Sequence, residues 1–402
     1  ASDWSSDVCS SDLIHPLFFA AFAVSFLSEC NAPSSAPPRL EDPSYHLEQI
    51  TVLTRHGARS PIHAYLNRSQ RGNWMCDASD AISSRIEGVP KIHPRKVRTI
   101  LDNRFADYPP NCRVGELILE GMSAHENLGK SYRKYLVDEL GLLDKELNPN
   151  QLFVRATAYD RTYKSAISFM KGLYEPKSIN EIIDITTGTS SDTFKSGKSY
   201  CKDMGILNKK LGNKLNDYLN EVKDLLAPVK AYVGMNSWTL DSANAMCDWL
   251  VTMNCNEETF DNTTINQTHI DVCGDFVLKM FFDLYYQDNE TNGIAFSYSM
   301  REILRYLDDF INGVTENKFI LLSSHDSTLA AYLSLLGHRE SRIPYASNLA
   351  METYKKDNEY YVRFVFNSKP IGIRFMNDQV LVSLKDFKES VAKYIDYCHE
   401  WP

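Results

Sequence analysis

Apolar and polar positions alternate between strand-like and helix-like spacing along most of the chain. Short apolar runs predict strands at 50–54, 151–154, 318–324, 360–366, 371–375 and 380–384, and the 360–366 and 371–375 strands are read as a hairpin. Apolar residues three to four positions apart predict helices at 125–140, 159–174, 211–226, 299–312 and 327–336. Strands followed by helices predict an α/β fold, a Rossmann-like mixed sheet flanked by helices.

The middle of the chain has a different character. Residues 175–300 hold three of the four Asn-x-Ser/Thr sequons and a clear amphipathic helix that stops at Pro228. We therefore expect a mainly helical cap at 175–300, inserted between the two parts of the α/β core at 45–174 and 301–402.

The N-terminal region is typical of a secretory leader. Residues 13–27 are apolar but too short for a comfortable membrane span, and small residues and prolines follow up to position 38. We therefore read 1–36 as a start of doubtful origin (1–12, expected to lie outside the native coding sequence) plus a signal peptide cleaved between Cys30 and Ala36. The alternative is a buried N-terminal helix. No later apolar run reaches 18 residues, so no stable span is expected in the mature chain.

Cysteines and sequons point to the same compartment. The sequons begin at Asn67, Asn262, Asn266 and Asn289. Of nine cysteines, Cys9 and Cys30 would leave with the leader, and the remaining seven allow at most three disulfides and one free thiol. Their pairing stays open, although Cys247 and Cys255 are close enough for a local loop. We expect a secreted or lysosomal glycoprotein with disulfide bonds.

Composition narrows the classes of partner. The chain has 43 Lys and Arg against 52 Asp and Glu, a formal net charge of −9. A protein of this sign has no general attraction for nucleic acid or anionic membranes, so no nucleic-acid partner is expected. An anionic substrate would need a local cationic pocket.

Charged residues cluster at the ends of three predicted strands. They are Arg55, His56 and Arg59 after the first strand, Arg155 after the second, and His325 and Asp326 after the third. Because the carboxyl ends of parallel strands meet at one sheet edge, these side chains are expected to converge. Guanidinium groups match phosphate oxygens, an imidazole can attack phosphorus, and a carboxylic acid can protonate a departing alkoxide.

Other charged residues receive structural readings. Asp160 and Arg161 are expected to form a structural salt bridge, and Asp326 is expected to cap a helix as well as to act chemically. The histidines at 63, 93 and 125 fit no motif and are read as surface or structural residues.

Three segments resemble the histidine acid phosphatases, in branch 2 of the histidine phosphatase superfamily. Residues 55–61, RHGARSP, resemble the RHGxRxP signature of that family. Residues 324–328, SHDST, resemble its distal His-Asp motif, and 153–162, FVRATAYDRT, its intermediate arginine block. The resemblance runs from about residue 47 to 347 and is nearest to prostatic and lysosomal-type acid phosphatases.

The resemblance implies a hydrolase of phosphate monoesters. His56 would be the nucleophile that becomes phosphorylated, and Asp326 the proton donor. Arg55, Arg59 and Arg155 would bind the phosphate with His325 as a further donor. No metal or other cofactor is implied. The partner would be a small phosphomonoester, and since members of the family are often dimers, a homodimer is also suggested.

Alternatives and a pH dependence follow. Position 58 is Ala where many animal acid phosphatases have Asp, and Ala at this position is closer to some phytases. Asn348 stands where several relatives have Cys. A phytase or inositol phosphate phosphatase is therefore the next reading, followed by an inactive secreted glycoprotein on the same fold. A metal-dependent phosphohydrolase and a mutase fit less well.

The proposed roles also imply a pH dependence. His56 must be neutral and Asp326 protonated, so we expect an acidic pH optimum.

Overall fold

Eight strands of the described chain form one mixed sheet. The computed structural model describes residues 30–63, 76, 112–178, 181–188, 194, 202–256, 264–279, 282, 289–340 and 342–395. The strands are β1 (His46–Arg55), β2 (Leu152–Ala156), β3 (Ile185–Thr187), β4 (Phe319–Ser324), β5 (Asn348–Lys356), β6 (Glu359–Phe366), β7 (Lys369–Ile371) and β8 (Leu381–Ser383). Their order is β3-β2-β4-β1-β5-β6-β7, with β8 beside β6. Strands β1 to β4 are parallel and the later ones antiparallel, which confirms the predicted fold class.

Helices cover the sheet and form the middle section. They are α1 (Leu119–Arg133), α2 (Asp160–Leu173), α3 (Lys202–Val222), α4 (Ala227–Tyr232), α5 (Leu240–Cys255), α6 (Gln267–Leu278), α7 (Asn289–Ile311), α8 (Asp326–Leu336) and α9 (Leu384–Ile395). A π-helical segment, Lys134–Glu139, continues α1. Within the described ranges, none of the helices combines the length and apolar composition that a membrane span requires.

The central strand β1 is buried on both faces. Ile50 and Val52 pack into one hydrophobic cluster with α1 and α2, whereas Leu53 packs into another with α7, α8 and α9. Side chains alternate between the faces of a strand, so a continuous apolar run is what a doubly covered strand requires. A third cluster contains side chains from the four helices α3, α4, α5 and α6 together with Tyr345.

Several boundaries differ from the sequence expectations. The predicted strand 371–375 is wrong, because β7 ends at Ile371 and Arg374–Met376 form a 3-10 helix. Strand β5 was not predicted. Helix α7 starts ten residues before the expected 299 and so crosses the proposed cap boundary at residue 300. The reading of 175–300 as a cap stays a prediction.

The disulfides correct the cysteine assignments. Cys30 bonds to Cys255, Cys76 to Cys112, and Cys247 to Cys273. The prediction that Cys30 leaves with the leader is therefore wrong, and so is a Cys247–Cys255 loop. The backbone beside Cys30 also joins the core, since Ala32 N–H donates to Tyr345 O over 2.8 Å. Any cleavage that keeps this disulfide falls before Cys30, and residues 1–29 lie outside the described ranges.

Candidate active site

Strand register brings the predicted strand ends to one edge of the sheet. Arg55 pairs with Ser324 across β1 and β4, and Ser323 pairs with Ala156 across β4 and β2. Pairing continues one residue further, because His56 N–H donates to Ser324 O over 3.1 Å. The loops after β1, β2 and β4 therefore open side by side, as expected for parallel strands.

His56 lies buried at the centre of this edge, with only 2% of its surface exposed. Its Nδ1 is 2.9 Å from the carbonyl oxygen of Gly57, which requires a proton on Nδ1 and leaves the lone pair on Nε2. Burial first, and then Arg161, Arg55, Arg59 and His325, hold the pKa of His56 well below its usual value. The ring is therefore a neutral base even in mildly acidic solution.

The loop that carries His56 packs closely against α1. A Cβ on Gly57 would lie 2.4 Å from the carbonyl oxygen of Gly121, so only glycine fits this position. His125, one turn further along α1, is fully buried and its Nε2 is 3.0 Å from the Arg55 carbonyl oxygen. Burial lowers the pKa of His125 to about 4. His125 is thus structural, whereas His63 is exposed and residue 93 lies outside the described ranges.

Arg55 and Asp326 form an ion pair at the mouth of the site. Arg55 Nη2 is 2.8 Å from Asp326 Oδ2, and Nη1 donates to the carbonyl oxygen of Ile343. The guanidinium lies over the ring of Tyr345 at 4.3 Å. Burial would raise the pKa of Asp326, but Arg55, His325 and Arg59 together lower it below its usual value.

Arg59 is held by a residue that sequence reasoning missed. Asp248, on α5, accepts from Arg59 Nη2 at 2.6 Å and from Nη1 at 3.3 Å. Its Oδ2 also accepts from Ile62 N–H at 3.2 Å, which ties α5 to the loop after β1. No motif marks Asp248, and its side chain reaches the site only because α5 folds over it.

Arg161 belongs to the site, which corrects its structural reading. Asp160 pairs with Lys164 at 2.9 Å instead of with Arg161. The Arg161 guanidinium lies over the ring of Tyr159 at 4.7 Å and has no carboxylate or hydrogen-bond partner among the described residues. It is the charge that acts most on His56, and burial followed by Arg59 lowers the pKa of Arg161 to about 10. One feature of the sequence could have indicated that Arg161 lies at the site: it is in the first turn of α2, as Asp326 is in the first turn of α8.

Arg155 and His325 have partners of their own. Arg155 Nη1 lies 2.9 Å from Glu302 Oε2 on α7, so the contacts of Arg155 do not support its predicted substrate role. His325 Nε2 is 2.9 Å from Thr157 Oγ1, and its ring centre is 5.7 Å from that of His56. His325 thus lies at the site, positioned by a threonine from the loop after β2, and its role as a donor to phosphate stays a prediction.

The assembled groups suit a dianionic substrate. Arg55, Arg59 and Arg161 flank a neutral imidazole with an available Nε2, and Asp326 stands at the rim. Among the described residues, no group of three His, Cys, Asp or Glu side chains is arranged to hold a metal ion. Guanidinium groups can supply positive charge to a phosphoryl transfer, which needs mainly positioning and charge stabilisation.

A family model, curated relatives and a solved structure each match most of this chain. The family model described as "Histidine phosphatase superfamily (branch 2)" matches residues 46–367. Counting factor 60 of Dictyostelium discoideum is 24% identical over 92% of this chain and 92% of its own length. Lysophosphatidic acid phosphatase type 6 of Bos taurus is 23% identical over 88% of this chain and 86% of its own. The apo form of Hafnia Alvei phytase superposes with a TM-score of 0.62 at 14% identity, covering 90% of this chain and all of that one.

Proposed function

The chain belongs to branch 2 of the histidine phosphatase superfamily and is a phosphoric monoester hydrolase, and we propose that it is an acid phosphatase that works through a phosphohistidine on His56. The observation that carries the proposal is the neutral, buried imidazole with its Nε2 available among three arginines. Arg161 takes the phosphate-binding role that the sequence assigned to Arg155.

The first step transfers the phosphoryl group to the protein. Arg55, Arg59 and Arg161 hold the phosphate oxygens, and His56 Nε2 forms a bond to phosphorus as the ester P–O bond breaks. The proton of Asp326 goes to the departing alkoxide. In the second step the Asp326 carboxylate takes a proton from water, which attacks phosphorus and releases phosphate and neutral His56.

Asp326 needs the substrate to become an acid. In the free protein the arginines keep the pKa of Asp326 low, so the side chain is ionised at mildly acidic pH. A bound phosphate dianion shares the charge of those arginines and places negative charge beside the carboxylate, and both effects raise its pKa. Protonation of Asp326 therefore accompanies substrate binding and favours turnover below neutral pH.

The proposed compartment is the secretory pathway, with secretion or delivery to lysosomes. Three disulfides among the described cysteines support an oxidising environment. Asn266 is exposed at the start of α6, where its side chain accepts from Thr268 N–H. Of the other sequons, 67 and 262 lie outside the described ranges.

The deciding experiment measures p-nitrophenyl phosphate hydrolysis between pH 3 and 9 for the wild type and His56→Ala. We expect wild-type activity to peak below neutral pH and the variant to lose it. We also expect an acid-labile, base-stable phosphoryl group on wild-type protein quenched during turnover. Equal activity of the two proteins would reject His56 as the nucleophile. A wild type that hydrolyses no phosphate ester would reject the proposal as a whole and favour an inactive glycoprotein.

A further inference from the structure

A largely apolar cleft opens beside the proposed proton donor. Its volume is about 610 Å³ when the open solvent at its mouth is included, and Arg55 and Asp326 are among the residues that line it. The apolar wall comes from α5, α6 and the segment before β5, and its members are Val251, Val277, Leu278, Ile343, Pro344 and Tyr345. Because Asp326 protonates the leaving oxygen, the alcohol part of the substrate must start beside this residue.

Three of the four charged residues that line the cleft take part in ion pairs. Arg55 pairs with Asp326, and the acidic Asp248 pairs with Arg59. Of the described lining residues, Arg342 is the one cation besides Arg55, and it packs against Gly274, where an added Cβ would lie 2.9 Å from its Nη2. An alcohol carrying several more phosphates would meet one further cation, Arg342, against the two carboxylates of Asp248 and Asp326 and a mostly apolar surface.

We propose that this cleft binds the alcohol part of the substrate and selects monophosphate esters of apolar alcohols over polyphosphorylated ones. The inference rests on the proposed function and adds the substrate class. Burying apolar carbon is favourable by roughly fourfold in affinity for each methylene. Alkyl phosphates should therefore improve as substrates with chain length.

A series of ethyl, butyl and hexyl phosphate tests the cleft. The alkoxide leaving groups are chemically alike, so a difference in kcat/KM reports binding of the chain and not bond cleavage. We expect kcat/KM to rise at least tenfold from ethyl to hexyl phosphate, and phytate to be hydrolysed less efficiently than hexyl phosphate.

Matched variants locate the effect. Val277 on α6 and Val251 on α5 line the cleft, whereas Val272, also on α6 and also half-buried, does not. Val277→Asn and Val251→Asn should each lower the hexyl-to-ethyl ratio about fivefold or more, since each places an amide against the chain. Val272→Asn should keep the wild-type ratio. The ratio is internal to each protein, so differences in folded fraction cancel.

The outcomes separate the two proposals. The proposed role of the cleft is overturned if the wild type hydrolyses p-nitrophenyl phosphate and all three alkyl phosphates with no chain-length preference, or if it prefers phytate. Either result leaves the proposed phosphatase activity standing. Equal loss of the ratio in all three Asn variants also overturns it. A wild type inactive on every ester overturns the phosphatase, and the cleft with it.

Discussion

The choice between Arg161 and Arg155 gives the sharpest test of the site. Arg161→Ala removes a guanidinium that has no carboxylate partner among the described residues and that acts on His56 more than any other charge. A hydrogen bond to a charged group contributes about 1.5–3 kcal/mol, and a planar guanidinium can make one or two to a phosphoryl group. A loss of about 2–4 kcal/mol corresponds to a decrease in kcat/KM of about 30- to 900-fold.

Arg155→Ala is the matched control. Its ion pair with Glu302 is largely buried, with side-chain exposures of 14% and 12%, so its removal costs the protein a buried ion pair. We expect the free energy of unfolding to fall by about 1–3 kcal/mol. In the folded protein we expect kcat/KM to change by less than about fivefold, well below the effect of losing a phosphate contact.

The assay is steady-state hydrolysis of p-nitrophenyl phosphate against pH, with thermal unfolding of each variant. A second readout comes from His56, whose neutral form attacks, so activity falls as pH drops through its pKa. Because Arg161 lowers that pKa, its removal should move the acidic decline to higher pH. If Arg155→Ala lost activity like a phosphate ligand while Arg161→Ala kept it, the assignment would be wrong.

Two further predictions concern Asp326 and His125. Asp326→Asn should slow hydrolysis of butyl phosphate about 10²- to 10⁴-fold, yet retain the burst of p-nitrophenolate in rapid mixing, since that anion leaves without a proton; loss of the burst would contradict a proton-donor role. His125 has a folded pKa of about 4 against about 6.5 when unfolded, so it contributes stability above pH 6.5 that is lost as pH falls towards 4, by up to about 3 kcal/mol. In urea unfolding, the free energy of unfolding of His125→Gln should fall less between pH 6.5 and pH 4 than that of the wild type, by up to about 3 kcal/mol. An equal fall in the two proteins would contradict the reasoning.

The strand ends could be predicted because their chemistry is local in sequence. A buried β-branched run followed by charged residues and glycine marks where β1 stops, and parallel pairing predicts that β4 ends at the same edge of the sheet. Helix α2 shows the limit of such reasoning. Arg155 is nearer to its strand end than Arg161, but the first turn of the helix turns back towards the sheet edge, and strand-end position alone does not reveal this.

Strand β5 was missed for a physical reason. Its centre carries Glu352, which is fully buried and breaks the expected apolar pattern. Arg363, opposite it on β6, donates from Nε at 2.6 Å, and the Tyr135 hydroxyl donates at 2.7 Å. A charge compensated by residues from two other elements cannot be recognised within one segment, and the same holds for Asp248 and for Cys30 with its distant partner.

The central position of β1 has a consequence for synthesis. Its neighbours β4 and β5 begin about 260 and 290 residues after it ends. At ribosomal rates of about 5–20 residues per second, an apolar strand that needs cover on both faces waits roughly 15–60 seconds for its partners. The loop that carries His56 therefore takes shape only after β4 and β5 have been synthesised. Nascent chains stalled before β5 should accordingly expose one edge of β1 and recruit chaperones.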